Sequence, residues 1–265
     1  MIWLLDSWLW GVITAGYVHK LFPSYDLFVV ADTEHVPYWT KDPQRVCQRT
    51  FTCLHWMFEQ GCELVILACN TASAVAIRAR QATFPAKKVL SITIPAVEAI
   101  ARENLERCVV LATQTTVDVR LYSKVYHHHF PHQPCEIHEV CGVWIVDILE
   151  DQLIPLDERK AQLKTICTEI AESLPEKFRH APIVLGCTHY PLVEHYFQQR
   201  CINPWLVSAQ ALKPYMRAHP GYFSRGSWQV IINTTGPVWL FRVRIDALVT
   251  PLVDLWSYQT AKVEI

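Results

Sequence analysis

Glycine is scarce in this chain, 8 of 265 residues, about 3% where roughly 7% is usual. Few positions are therefore free to take a positive φ or to bring bare backbone close to a ligand. Basic charge is not in excess either. Lys and Arg total 24 against 25 Asp and Glu, a net charge of −1, so there is no bulk positive field for a phosphate backbone and no nucleic-acid partner is expected. No run approaches the roughly 20 apolar residues of a membrane span, so no membrane partner is expected. The apolar start is interrupted by Asp6 and has no basic residue before it, which argues against a secretory leader. None of the ten cysteines forms C-x-x-C, which removes the usual zinc and thioredoxin spacings.

What is present is apolar mass. Hydrophobic residues make up 51% of the chain and charged ones 18%, enough to build a large core and to exclude disorder as a global description. Most cysteines sit inside apolar runs and read as small buried hydrophobes of a reducing, cytoplasmic protein.

Short apolar runs alternate with helical-period segments. Strands are expected at Ile2–Leu5, Tyr25–Ala31, Leu64–Ala68, Lys88–Ile94, Cys108–Ala112 and Pro182–Leu185. Helices are expected over Arg45–Gln60, closed by Gly61, and over Ala72–Ala82, Val117–His128, Trp144–Gln152, Asp157–Ser173 and Pro191–Gln199. Repeated strand–helix units point to an α/β fold with central, mainly parallel sheets, and function then collects at the carboxyl ends of the strands.

One design occurs twice. Val65-Ile-Leu-Ala-Cys69-Asn-Thr and Ile183-Val-Leu-Gly-Cys187-Thr-His each run from an apolar strand through a small residue to a cysteine and a polar helix start. Two thiols facing one carbon from opposite sides can remove a proton on one face and deliver one on the other, with no cofactor. The pocket must stabilise the developing negative charge.

Ala68-Cys69-Asn70-Thr71-Ala72-Ser73-Ala74 and Leu185-Gly186-Cys187-Thr188-His189-Tyr190-Pro191-Leu192 resemble the two signature motifs of the glutamate racemases, within the aspartate/glutamate racemase family. Asp6-Ser7, Asp32-Thr33, Val36-Pro37-Tyr38, Ile94-Pro95-Ala96-Val97 and Leu111-Ala112-Thr113 to Thr116-Val117 are similar to further family segments. So is Asn233-Thr-Thr-Gly236, although the likeness fades after about residue 200.

The resemblance implies two α/β domains related by a pseudo-twofold axis, with the active site in the cleft between them. The first would span 1–93 plus 208–265 and the second 94–207. It implies cofactor-independent interconversion of L- and D-glutamate, supplying D-glutamate for peptidoglycan and the cell wall, in a homodimer. Carried over by motif, Cys69 and Cys187 are the catalytic acid/bases, with Asp6 assisting Cys69 and His189 assisting Cys187. Ser7, Tyr38, Trp39, Asn70, Thr71, Thr113, Thr116 and Thr188 match substrate-binding positions. Asp32 and Asp147 match supporting carboxylates, the latter where the family usually has Glu.

The glycine shortage falls on this site. The family pattern Asp-Ser-Gly-x-Gly-Gly is Asp6-Ser7-Trp8-Leu9-Trp10-Gly11 here, and Pro-Tyr-Gly is Pro37-Tyr38-Trp39. The indoles either narrow the pocket or turn away in a reshaped loop. Three readings stay open: a racemase acting on glutamate, a two-thiol enzyme acting on another substrate such as aspartate, and a racemase-like binding protein.

Other features have ordinary readings. His127, His128, His129 and His132 lack a metal-site spacing and are expected at a solvated helix end or loop. Arg78, Arg80, Lys87 and Lys88 are expected on a solvated face. Trp228, Trp239, Phe241 and Trp256 are expected in core packing or at a dimer interface.

Overall fold

The computed structural model describes residues 1–76, 79–226, 229–246 and 258–265. The sequence calls on Arg78, Trp228 and Trp256 lie outside the described residues.

Two parallel sheets organise the chain. The first holds β1 (Ile2–Asp6), β2 (Leu27–Ala31), β3 (Leu64–Leu67), β4 (Lys88–Ser91), β9 (Val230–Thr234) and β10 (Gln259–Lys262) in the order β10-β9-β2-β1-β3-β4. The second holds β5 (Arg107–Ala112), β6 (Glu136–Cys141), β7 (Ile183–Gly186) and β8 (Cys201–Ile202) in the order β6-β5-β7-β8. Every described pairing is parallel. β3 and β7 are buried at every residue, as strands covered by helices on both faces must be. Leu4 and Leu5 of β1 point into different buried clusters on opposite faces. The cluster containing Leu4 continues through Trp10 and Ile145 to Leu185 and Trp205, so one apolar core joins the two sheets.

The helices are α1 (Gly11–Leu21), α2 (Pro43–Glu59), α3 (Asn70–Ala76), α4 (Arg80–Thr83), α5 (Thr93–Arg102), α6 (Gln114–Asp118), α7 (Leu121–His129), α8 (Val143–Glu150), α9 (Leu156–Ser173), α10 (Pro204–Ala218) and α11 (Val238–Arg244). α2 starts where Asp42 accepts the Gln44 and Arg45 amides and Pro43 takes the first turn. It stops at Gly61, with φ +87°.

Four expectations change in detail. β4 stops at Ser91, because the Ser91 hydroxyl takes the Thr93 amide (3.2 Å) and opens α5. A local side-chain bond thus overrides the apolar run to Ile94. The helix expected over Val117–His128 is broken into α6 and α7 by Arg120 at φ +51°. The segment after Cys187 is a 3₁₀ helix over Tyr190–Tyr196. The helix expected over Ala72–Ala82 appears as the shorter α3, with α4 after it. His127, His128 and His129 form the exposed last turn of α7. Phe241 is buried in the core, whereas Trp239 is 68% exposed.

Asn203 joins β8 to α10. Its side chain accepts the Trp205 and Leu206 amides and donates to Tyr17 Oη on α1 (3.0 Å). Asn203→Ala is expected to lower the unfolding free energy by about 1–2 kcal/mol through loss of the cap, read from urea denaturation.

Candidate active site

Both cysteine units form as strand, cysteine and helical turn. Cys69 follows β3, and α3 opens at Asn70; Cys187 follows β7, before the 3₁₀ helix. Gly186 must be glycine, because a Cβ there would meet Leu111 O at 2.9 Å on the neighbouring strand. Each cysteine is only 5% exposed.

Burial dominates the chemistry of both thiols by disfavouring the thiolate. It lifts Cys69 to about 11, helped by the nearby Asp6 charge, although the Ser7 hydroxyl and the Ala72 and Thr71 amides work the other way. The Ser7 hydroxyl lies 3.3 Å from Cys69 Sγ and the Ala72 N–H donates at 3.4 Å. Cys187 is pushed well above its ordinary value by burial, with Cys69, Asp6 and Glu150 adding to the shift and the His189 amide opposing it. Both sulfurs are therefore thiols at neutral pH, and each needs a partner that can accept its proton.

Cys69 has Asp6. This carboxyl is 1% exposed, and burial raises its pKa to about 7 against the Ser7 amide and the Cys69 thiol. Oδ1 accepts the Ser7 N–H (2.9 Å), while Oδ2 has no hydrogen-bond partner. Asp6 fits only because residue 11 is glycine: a Cβ there would meet Asp6 Cβ at 2.6 Å.

Cys187 has His189, whose Nδ1 lies 3.2 Å from Sγ. On the other side of the ring, Nε2 lies 2.7 Å from Glu150 Oε1. Burial would raise Glu150, but its hydrogen bond to His189 and the His189 charge overcome this, the Trp10 and Trp8 indoles adding to the effect, and hold the carboxyl below its usual value. An ionised Glu150 only accepts, so Nε2 carries a hydrogen and Nδ1 is the ring atom that faces Cys187. The result is a line from sulfur through imidazole to carboxylate.

Glu150 is the functional residue that the sequence reading missed. Asp147, the carboxylate expected to support the site, stands one turn earlier on α8, and it is Glu150 that meets the His189 ring. The pattern Asp147-Ile-Leu-Glu150 held the signal, since residues three apart share a helix face. Trp10 was also missed. Its Nε1 donates to Glu150 Oε1 (3.0 Å), and its ring lies 4.9 Å from that of His189.

The tryptophans neither strain the backbone nor leave the site. Among the described residues, the positive-φ residues other than glycine are Asn104 and Arg120, so the loops that carry Trp8, Trp10 and Trp39 have ordinary backbone conformations. Trp39 packs edge-on to His189 at 5.6 Å. Trp8 and Trp39 line a cavity of about 500 Å³ with Asp147 and Glu150, and Arg244 stacks on the Trp8 ring at 4.7 Å.

The remaining expected residues fall into two groups. Thr71, Thr113 and Thr116 form a buried hydroxyl chain between the two sheets, with steps of 3.0 and 3.1 Å. Asn70 accepts from Tyr122 Oη (2.7 Å), and its buried Nδ2 has no partner. Thr188 is buried beside Cys187, and Tyr38 packs against Cys69 and Ala72. Asp32 does not meet the thiols by any hydrogen bond. It is wholly buried and accepts from Tyr38 Oη (2.6 Å), Arg49 Nε and Nη2 (2.7 and 2.9 Å) and Thr235 Oγ1 (2.9 Å). Despite burial, which acts to raise it, the hydrogen bonds from Arg49 and Tyr38 and the Arg49 charge keep its pKa lowered. Asp32 therefore anchors the Tyr38 loop. Arg49, its bidentate partner, carried no sequence signal.

Two buried thiols, each following a strand of a different parallel sheet, thus sit beside different polar neighbours. The chain belongs to the Asp/Glu/Hydantoin racemase family, whose model matches residues 14–212, and so to the isomerases. It is 31% identical over 252 residues to the glutamate racemase of Ruegeria pomeroyi, covering 88% of this chain and 90% of that protein. Its fold is similar to that of glutamate racemase from Bacillus anthracis (TM-score 0.83, 20% identity, 100% and 97% of the two chains). It is also similar to that of the Francisella tularensis glutamate racemase in complex with D-glutamate (TM-score 0.82, 20% identity, 99% and 97%).

Two outcomes test the site. Asp6 has a folded-state pKa above its unfolded value, so the folded protein holds a proton that the unfolded chain releases, and stability falls as pH rises from about 4 to about 7. Asp6→Asn is expected to be more stable than the parent at pH 8 by several kcal/mol, with the difference vanishing toward pH 4, read from denaturant midpoints. Glu150→Gln is expected to lower turnover roughly 10²-fold and to shift the pH–rate profile; a change in KM alone would rule out a role in orienting His189.

Proposed function

We propose that this protein interconverts L- and D-glutamate by two-thiol proton transfer without a cofactor. The observation that carries the reading is the separate proton partner at each buried sulfur, Asp6 for Cys69 and His189 backed by Glu150 for Cys187. For one enantiomer, Asp6 takes the Cys69 proton and the thiolate removes the Cα proton. Cys187 delivers its proton to the opposite face of the carbanion, and His189, which enters this direction as the imidazolium, returns its Nδ1 proton to the sulfur and is left neutral. The other enantiomer reacts by the reverse sequence.

The unsatisfied groups support an amino-acid substrate. Asn70 Nδ2 is a buried donor and Asp6 Oδ2 a buried acceptor, neither with a partner in the protein. They suit a carboxylate and an ammonium respectively. Ser7, Thr71, Thr113, Thr116 and Thr188 add hydroxyls, and Tyr38 and Trp39 close one wall. The names of the relatives support glutamate. The product would be D-glutamate for peptidoglycan, made in the cytoplasm. The cleft would separate domains 1–93 plus 208–265 and 94–207. We also propose a homodimer, with the exposed Trp144 and Trp239 offering apolar surface. One observation favours a shorter acid such as aspartate: Trp10 and Trp39 both crowd the His189 ring.

Proton NMR in D₂O tests the proposal. Loss of the α-proton signal of either glutamate enantiomer is expected, and Cys69→Ala and Cys187→Ala should each abolish racemisation. Exchange on aspartate alone would transfer the reading to that substrate. No exchange on either acid, from folded protein, would leave a binding protein.

A further inference from the structure

Arg49 stands where α2, the loop after β2 and the end of the first sheet meet. Its side chain is mostly buried, and the Asp32 carboxylate before it is wholly so. The planar guanidinium bonds in two directions. Nε and Nη2 form a fork on the two Asp32 oxygens, and Nη1 donates to Ile265 O (3.0 Å). The segment after β10 is tied down in turn, because the Val263 amide donates to Thr234 O (3.0 Å) at the end of β9. The adjacent Thr235 hydroxyl donates to Asp32 Oδ1. Asp32 is thus held from α2 on one side and from β9 on the other. A lysine, a point charge on a flexible stem, does not reproduce such a fork.

What this arrangement fixes is the Tyr38 ring. Its hydroxyl donates to Asp32 Oδ2 (2.6 Å), and the buried ring packs with Val46, Cys69 and Ala72. The phenol end is pinned while the body of the ring covers one flank of the thiol. Val46 and Arg49 are three residues apart on α2 and share a face. One helix therefore supplies both the clamp on Asp32 and part of the wall around Tyr38.

We propose that Arg49 is a positioning residue for Cys69: through Asp32 it holds the Tyr38 ring against the sulfur and keeps water from that side of the thiol. A buried carboxylate that loses its cation must take up a proton or turn toward water, and Tyr38 then loses its fixed acceptor. The sulfur becomes wetter and ionises more readily, but it is no longer held in one place. This control of the thiol is independent of the racemase reading, whereas its effect on rate rests on it.

The test is alkylation of the full chain by iodoacetamide, with the rate at each cysteine read by peptide mass spectrometry. Cys62 is the control for general loosening, because it is buried with Leu54, Met57 and Phe58 of α2. Arg49→Met is expected to raise the rate at Cys69 about tenfold and to leave Cys62 within about twofold of the parent. The double variant Asp32→Ala with Arg49→Met strands no buried charge and is expected to do the same. Arg49→Lys keeps the charge without the fork and is expected to stay within about threefold of Arg49→Met. An unchanged Cys69 rate in the double variant, or an equal rise there at Cys62 and Cys69, overturns the positioning role. A parent-like Cys69 rate in Arg49→Lys overturns the part assigned to the fork. In the D₂O exchange assay, Arg49→Met is expected to slow exchange on saturating glutamate about tenfold. An unchanged exchange rate with Cys69 selectively exposed overturns the effect on rate alone. Absence of exchange in the parent overturns that effect together with the racemase reading, while the alkylation still decides the positioning role.

Discussion

Removing two thiols from water is the constraint on which the rest depends. A sulfur that is 5% exposed resists becoming a thiolate, and the chemistry proposed for both cysteines requires that it do so. The fold answers with a separate device at each sulfur. A buried carboxyl is raised to about 7, where it can exchange a proton with Cys69. An imidazole held by an ionised carboxylate faces Cys187. The two halves share strand–cysteine–turn geometry and differ in the acid–base group, as separate environments allow.

The same constraint accounts for where small residues remain in a chain that has few. Gly11 leaves space for Asp6, and Gly186 lets β7 approach β5 directly before Cys187. The other expected glycines of these loops are indoles, and the structure uses them. Trp10 braces Glu150 by a hydrogen bond and Trp39 walls the imidazole. The aromatic loops supply rigidity and apolar surroundings around the same proton partners.

Much of this was legible from the chain alone. The alternation of apolar runs and helical periods pointed to the parallel sheets, the twin motifs to both cysteines and His189, and the separate Asp6-Ser7 segment to Asp6. The details decided by single backbone choices were hidden: the left-handed Arg120 that divides α6 from α7, and the Ser91 hydroxyl that ends β4. Glu150 was hidden behind Asp147 because which of two carboxylates reaches a ring is settled by helix phase against a distant strand. Arg49 was hidden because a bidentate partner for Asp32 is a matter of tertiary placement.

The order of strands in the first sheet has a consequence for how the molecule is assembled. β2 pairs on one side with β1 and on the other with β9, and β9 lies in sequence beyond the whole of the second sheet. On a ribosome, the four-stranded sheet is complete while β2 still has a bare edge. That edge offers unpaired amides and carbonyls to any passing strand until β9 emerges. Synthesis speed and chaperone cover across that interval thus bear on the yield of folded protein.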